Sequence, residues 1–129
     1  MDGKSSDLRL RTRLLASRVI KVVDALPKGR AADVIARQLV RSGTSVGANY
    51  REAARATTPR QFSYACDVAI READETMYWL EVIVDSNLLL RNRLADLMEE
   101  LDEIIAMLTA SSRTSKRNAA TKKRSKKAT

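Results

Sequence analysis

The stretch "SGTSVGANYREA", Ser42–Ala53, lies in the middle of a chain whose apolar residues otherwise recur at helical spacing. It contains two glycines, three small hydroxyl side chains and an asparagine, where leucine and alanine would favour a helix more strongly. Two interpretations compete. The stretch is either a loop that cradles a phosphate or a small-residue face where a second helix approaches closely.

The spacing of the two glycines argues against a phosphate loop. A Walker A loop needs Gly-x-x-x-x-Gly-Lys-Ser/Thr after a strand, but Gly43 and Gly47 are four residues apart, no lysine follows and no strand pattern precedes them. On a helix, residues at i and i+4 share one face, so these glycines would leave that face bare. Each costs up to about 1 kcal/mol against alanine, which close packing can offset. The partner helix belongs either to the same chain or to a neighbouring subunit.

Working outward from this stretch, four amphipathic segments are separated by turn signals. Pro27-Lys28-Gly29 ends the first segment, and Thr58 with Gln61 forms a capping box around Pro59 before the third. The predicted helices are 7–26, 30–57, 59–85 and 90–111. Because the connections are short, we expect an all-α, antiparallel up-down-up-down four-helix bundle.

Each predicted helix carries one apolar stripe, and these stripes define the expected core. The predicted core residues are Leu8, Leu15, Val19, Val22 and Leu26 in the first helix; Ala32, Ile35, Leu39, Val46, Tyr50 and Ala53 in the second; Phe62, Cys66, Ala69, Ala73, Leu80 and Ile83 in the third; and Leu94, Leu97, Met98, Leu101, Ile104, Ile105 and Leu108 in the fourth.

The composition excludes several classes of site. The 129 residues include no histidine, which removes a Ser-His-Asp arrangement and histidine ligands for zinc or iron. The single cysteine, Cys66, cannot form an intrachain disulfide and is typical of a small buried apolar residue. We therefore expect no metal, no cofactor and no catalytic residues. A carboxylate pair, Glu52 and Glu72, is the remaining enzyme alternative.

The positive charge is concentrated at the carboxyl end. Residues 1–112 contain 16 basic and 16 acidic residues, whereas residues 113–129 contain eight basic residues and no acid. With no large apolar residue, 113–129 is predicted to be a disordered basic tail beside a 1–112 bundle domain. Such a tail would bind nucleic acid through phosphates, or merely solubilise the chain. The candidate nucleic-acid-binding residues are Arg113, Lys116, Arg117, Lys122, Lys123, Arg124, Lys126 and Lys127.

The bundle itself is neutral overall but asymmetric. Residues 1–60 contain 13 basic and 5 acidic residues, and residues 61–112 contain 3 basic and 11 acidic residues. The first two helices should therefore attract the last two helices, or those of a neighbouring subunit. The N-terminal sequence lacks a signal-peptide core and no apolar run is long enough to span a membrane. We expect a soluble cytoplasmic protein.

Polar residues near the glycine face are candidate contact residues. The hydroxyls of Ser42, Thr44 and Ser45 can bond to the preceding turn, and Asn49 can bond across an interface. Glu72 lies at the edge of the third apolar stripe and needs a partner, for which the candidates are Arg41, Arg51, Arg55 and Asn49. Glu52 is expected to pair with Arg71.

Tyr78 and Trp79 are adjacent on the third helix and point about 100° apart, so one of the two rings should face a partner.

The stretch "SGTSVGANYREA", followed about twenty residues later by "READETMYWLEVI", resembles a known bacterial family. This is the four-helix-bundle family named after the open reading frame in the intervening sequence of 23S ribosomal RNA. The resemblance covers about residues 7–110 and leaves the basic tail outside it. The shared positions are Ser42, Thr44, Ser45, Gly47, Asn49, Glu52, Glu72, Tyr78, Trp79 and Leu80.

The resemblance implies a homopentameric ring without established enzymatic activity. A related group, the accessory variability determinant of diversity-generating retroelements, has the same bundle and binds nucleic acid and a reverse transcriptase. Our functional hypothesis is a ring-forming, non-enzymatic bundle that binds nucleic acid, RNA above all, through its tails and the basic surface of its first two helices. The alternative is a protein-interaction scaffold, or an accessory subunit for an enzyme such as a reverse transcriptase, whose tail only solubilises it.

Overall fold

The computed structural model describes the backbone of residues 3–128 and the side chains of residues 7–127. Its four helices are α1 (Gly3–Ala25), α2 (Arg30–Ala54), α3 (Pro59–Asp85) and α4 (Arg91–Ala128). Each helix packs against the one before it, and α4 packs against α1, while no Cα atoms of the diagonal pairs α1–α3 and α2–α4 lie within 8 Å of each other among the described residues. The predicted all-α four-helix bundle is confirmed.

The core consists of the apolar stripes that the periodicity predicts. Leu15, Leu39, Leu80 and Leu101, one from each helix, are completely buried at the centre of one continuous cluster. Burial of a side chain of this size stabilises the fold by roughly 1.5–3 kcal/mol. The partly buried members of the predicted stripes, which flank this cluster, are Val22, Leu26, Phe62, Met98 and Ile105.

The turn between α2 and α3 follows its predicted capping chemistry. Thr58 has an extended backbone, and its hydroxyl accepts a hydrogen bond from the Gln61 amide at 3.1 Å, with Pro59 in the first helical position. The Gln61 side chain reaches one residue further back than in a capping box, because its amide oxygen accepts from the Thr57 amide at 3.1 Å. Helix α2 ends at Ala54, three residues before the predicted end.

The turn after α3 is closed by a Schellman motif. Asn87 adopts a left-handed conformation with φ of 58°, which asparagine tolerates better than most residues. The Leu88 amide donates to the Ile83 carbonyl at 3.0 Å and the Asn87 amide donates to the Val84 carbonyl at 3.1 Å. These bonds end α3 and turn the chain into α4.

The carboxyl end differs from the prediction. The fourth helix does not end at residue 111, and residues 113–128 continue α4 instead of forming a disordered tail. The physical reason is that small polar residues take the place of large apolar ones: Ser112 and Ser115 are buried against α3. Extending an existing helix also avoids the cost of nucleating a new one. Met1, Asp2 and Thr129, which the predicted domains include, lie outside the described residues.

Candidate functional site

The glycine face of α2 lies against α1 of the same chain. A Cβ atom on Gly43 would come within 2.9 Å of both Val19 methyl groups, and one on Gly47 would come within 3.2 Å of the Thr12 hydroxyl and 3.3 Å of its carbonyl oxygen. Both contacts are closer than ordinary van der Waals contact. The glycines therefore let the α1 and α2 backbones approach, and this contact requires no second subunit.

The small hydroxyl residues of the stretch have two different roles. Thr44 and Ser45 donate to the Val40 and Arg41 carbonyls of their own helix, at 2.7 and 2.6 Å. Ser42 instead points into the α2–α3 contact, where it is fully buried and accepts a hydrogen bond from the Thr76 hydroxyl at 2.9 Å.

Asn49 donates to the Ser45 carbonyl at 2.8 Å, which is a bond within α2 rather than across an interface.

Glu72 has the partner that its position predicts. Arg41 donates to Glu72 at 3.1 Å and also binds Glu75, so that one guanidinium on α2 joins two carboxylates on α3. The hydrogen bonds from Arg41 and from the Trp79 indole lower the pKa of Glu75. These contacts join α2 to α3 through one guanidinium and two carboxylates, which is the arrangement of a structural ion-pair cluster.

The other expected pair does not form. Glu52 is exposed on α2, and no ion pair joins it to Arg71 in the described part of the chain. Arg71 instead lies one turn along α3 from Asp67 and helps to lower its pKa electrostatically. Glu52 and Glu72 therefore have different environments: one is exposed, and the other is bound by arginine.

Tyr78 and Trp79 differ in exposure, as their positions about 100° apart on the helix predict. Trp79 is half-buried and its indole N–H donates to Glu75 at 3.1 Å, whereas Tyr78 is 54% exposed. The two rings are 5.0 Å apart and meet edge to face at 72°. Tyr78 is thus the ring available to a partner, although its neighbours along α3 are mostly acidic.

A second inter-helix cluster joins α1 to α4. Arg11 donates to Glu100 through its Nε atom at 3.0 Å, binds Glu103 at 2.6 Å and lies 3.6 Å from Asp7. The hydrogen bond from Arg11 lowers the pKa of Glu100. Together with Arg41, Arg11 shows that part of the basic charge on the first two helices is neutralised within the chain by the last two.

The extension of α4 is attached to α3 through Asp67. Ser112 donates to the Asp67 carboxylate at 2.6 Å and Lys116 lies 2.9 Å from it. Burial alone would raise the pKa of Asp67, but these two bonds outweigh burial and lower it. One turn further on, Ser115 donates to the Pro59 carbonyl at 2.6 Å. Asp67 and Ser112 were not identified from the sequence, because their polar side chains are typical of solvent-exposed positions.

All eight cations of the predicted tail are exposed on this helical extension. Helical spacing places seven of them, all but Lys127, on two sides. Lys116, Lys122, Lys123 and Lys126 line depressions beside the start of α3. By their i, i+4, i+11 spacing, Arg113, Arg117 and Arg124 share the opposite side of the helix.

The basic surface expected on the first two helices is a groove between α1 and α2. It has a volume of about 240 Å³ and is floored by small residues, including Gly47. Arg9, Arg13 and Arg51 line it, no acidic side chain does, and none of the three forms an ion pair within the described residues. The charge count of residues 1–60 indicated that this region is basic but did not identify these three arginines.

The described part of the chain offers little for metal or redox chemistry. No group of three or more His, Cys, Asp or Glu side chains there could hold a metal ion. Cys66 is buried in the core, and burial raises the pKa of its thiol to about 12, so that it is not a nucleophile near neutral pH. Among the described residues, none of the helices is both apolar and long enough to cross a bilayer.

The pattern of the 23S rRNA-intervening sequence protein family matches residues 5–110. The chain belongs to this family. It is also similar to a crystal structure of a protein of unknown function from the S23 ribosomal protein family of Bacteroides thetaiotaomicron, with 29% identity and a TM-score of 0.79. That similarity covers 85% of this chain and 98% of the other. No curated protein matches the chain significantly.

Membership of the 23S rRNA-intervening sequence protein family confirms the resemblance carried by the two sequence blocks. The match includes the glycine face of α2, the Arg41 cluster and the contacts of Arg11. It ends at residue 110, just before Ser112, so that the basic extension of α4 is a feature of this chain outside the family pattern.

Proposed function

We propose that the protein is a non-enzymatic, ring-forming helical bundle that binds nucleic acid, with RNA favoured, through its basic α4 extension and the basic groove between α1 and α2. The observation that carries the proposal is the extension itself: residues 113–127 of α4 present eight exposed cations and no acid. Neutralising phosphates with lysine and arginine releases counterions and supplies affinity that depends little on sequence. The family's name refers to ribosomal RNA, which supports RNA as the ligand and a cytoplasmic location.

The groove between α1 and α2 supports the same ligand class. Arg9, Arg13 and Arg51 surround a floor of small residues, which allows a phosphate backbone to approach the helices closely. Guanidinium groups bind phosphate through two parallel hydrogen bonds. The groove and the extension are two basic surfaces on one chain.

The proposed assembly is a homopentamer. It is supported by the family resemblance and by large apolar side chains left exposed on the bundle. Leu10 and Leu14, 44% and 49% exposed, are one turn apart on α1. Five extensions on one ring would act together on a polyanion, because binding of the first raises the effective concentration of the others.

The test is a salt titration of RNA binding. Fluorescence anisotropy with a labelled 20-nucleotide RNA between 50 and 300 mM KCl should show tight binding at low salt and a steep linear fall of log K with log[KCl]. Replacing Arg113, Arg117 and Arg124 by glutamine should make the slope shallower by about 2, since each single-strand phosphate contact contributes about 0.7. Unchanged affinity and slope after removal of all eight cations would refute a role for the extension.

A protein scaffold is the second candidate function. The exposed apolar residues of α1 and the exposed ring of Tyr78 favour it, because such side chains are typical of protein interfaces. A partner such as a reverse transcriptase would then bind the ring directly. Co-purification of one stoichiometric protein after nuclease treatment, with RNA affinity no better than that of a free basic peptide, would favour the scaffold over RNA binding.

A further inference from the structure

A groove between the start of α3 and the extension of α4, here called the α3–α4 groove, is not part of the predicted site. It has a volume of about 490 Å³ and is lined by Arg60, Ser63, Tyr64, Asp67, Lys116, Ala119, Ala120 and Lys123. A second depression of about 350 Å³ continues it and adds Thr58, Pro59, Lys122 and Lys126. The two share Arg60, Ala119 and Lys123, so they form one continuous surface.

Tyr64 is the aromatic residue of this groove. Its side chain is 68% exposed, and it forms no hydrogen bond or ring contact with any described residue. On the α4 side the groove is lined by Ala119 and Ala120, whose methyl groups do not cover the ring. An uncovered aromatic ring in a groove can stack on a planar ligand.

The charge around Tyr64 is positive. Arg60 lies one turn before it on α3, and the lysines of the α4 extension line the other side. The one acidic residue of the lining, Asp67, is already bound by Ser112 and Lys116. Neither Arg60 nor Lys123 forms an ion pair within the described part of the chain, so both can bind an anionic ligand.

An aromatic ring flanked by cations is the combination that binds single strands, since a base stacks on the ring while lysine and arginine bind the neighbouring phosphates. Inside a duplex the bases stack on each other, so that only the two terminal pairs have a free base face. We propose that the α3–α4 groove binds single-stranded nucleic acid, with one base stacked on Tyr64 and the adjacent phosphates bound by Arg60 and Lys123. This inference rests on the nucleic-acid binding proposed above and specifies where and in which form the strand binds.

Tyr78 provides a matched control on the same helix. It is exposed to a similar degree, but Asp74, Glu75 and Glu81 lie within one turn of it, so its surroundings repel phosphate. Loss of an exposed tyrosine as such would affect both positions equally. A stacking site affects Tyr64 alone.

The experiment measures anisotropy with a labelled 12-nucleotide oligouridylate and with a blunt 12-base-pair RNA duplex. Tyr64→Ala should weaken oligouridylate binding about tenfold and duplex binding by less than twofold, because only the single strand stacks. The salt slope should not change, since no charge is removed. Tyr64→Phe, which keeps the ring, and Tyr78→Ala should both bind like the unaltered protein. Circular dichroism verifies that each variant is folded.

A charge comparison locates the phosphates. Lys122, Lys123 and Lys126 replaced by glutamine should lose more oligouridylate affinity than Arg113, Arg117 and Arg124 replaced by glutamine, although both variants lose three charges. Tyr64→Ala that binds as well as Tyr78→Ala would overturn the groove site while leaving general phosphate binding intact. Absence of any RNA binding by the unaltered chain at 50 mM KCl would overturn both proposals.

Discussion

The Thr76 hydroxyl on α3 donates to Ser42 Oγ on α2 at 2.9 Å, and both side chains are completely buried. Each hydroxyl also lies within reach of a carbonyl of its own helix, Leu39 for Ser42 and Glu72 for Thr76. No buried side-chain nitrogen or oxygen in the described part of the chain lacks a partner. The α2–α3 contact therefore contains a buried hydrogen bond between two hydroxyls that are distant in the sequence.

Removing both hydroxyls should destabilise the bundle by less than the two single removals added together. Thr76→Val leaves Ser42 Oγ without its cross-helix donor, and we expect a loss of about 1–2 kcal/mol in the free energy of unfolding. In the double variant Ser42→Ala/Thr76→Val no buried hydroxyl remains unpaired, so the loss should be smaller than the sum of the single losses. Urea denaturation of the four proteins measures the difference, and strict additivity would contradict the pairing.

Gly43→Ala should also destabilise, although alanine is the better helix former. The new methyl would lie 2.9 Å from both methyl groups of Val19, whose β-branched side chain is fully buried and cannot turn away. Overpacking of this kind costs about 1–3 kcal/mol, against a helix-propensity gain of up to about 1 kcal/mol.

Val19→Ala makes room and serves as the control background for Gly43→Ala. In that background the second substitution should be neutral or stabilising. If Gly43→Ala were stabilising with Val19 present, α1 would not lie as close to α2 as described.

Acid should destabilise the fold partly through Glu100. Because Arg11 lowers the pKa of Glu100 in the folded state, the stabilisation is present above the ordinary glutamate pKa and is lost as pH falls through the lowered value. Glu100→Gln should cost about 1 kcal/mol at pH 7 and show a weaker loss of stability below pH 4 than the unaltered protein. The matched control is the exposed neighbour Glu99→Gln, which should follow the unaltered protein at every pH.

The attachment of the α4 extension can be measured by hydrogen exchange. Asp67→Asn removes the ionic contact to Lys116 and weakens the hydrogen bond from Ser112. Amides after residue 112 should then exchange several-fold faster, while those of the core should not change, because the extension opens without unfolding the bundle. Asp74→Asn, at an exposed position on the same helix, controls for the loss of one charge. Equal protection in the Asp67 variant would show that other contacts hold the extension.

The proposed ring predicts a solution mass of about 72 kDa, five times the 14.4 kDa of one chain. Light scattering at micromolar concentration measures it directly. Leu10→Ser combined with Leu14→Ser should lower the mass without unfolding the chain, because both side chains are half-exposed in a single protomer. As a control, a substitution of the exposed residue Arg37 on α2 should leave the mass unchanged. A monomeric unaltered chain would refute the ring.

The fold could be predicted from the sequence because local signals agree with one another. Helical periodicity, the Pro27-Lys28-Gly29 turn and the Thr58 cap place three of the four helices within a few residues of their observed ends. The position of Glu72 at the edge of an apolar stripe predicted a polar partner on α2, and the structure selects Arg41 from the four candidates.

The end of α4 could not be predicted from apolar periodicity. Periodicity detects large apolar side chains, whereas this part of α4 is held by small polar side chains that are buried and hydrogen-bonded. Ser112 and Ser115 carry no hydrophobic signal, and their partners Asp67 and Pro59 lie about 45 and 56 residues away. Tyr64 could not be identified from the sequence for a related reason. It lies on the solvated side of α3, and only the folded structure shows that the α4 extension places cations beside it.

Helix α4 has 38 residues and is therefore about 57 Å long, and nearly half of it, residues 111–128, lies beyond the family pattern. A disordered basic tail would lose conformational entropy on binding a polyanion. A helix loses less, because its charges are already held at fixed spacing before binding. The helix holds its lysines at fixed spacing, so the proposed nucleic-acid binding would depend on the separation of the ligand's phosphates as well as on its total charge. The extension of α4 thus gives a basic segment of simple composition fixed distances between its charges.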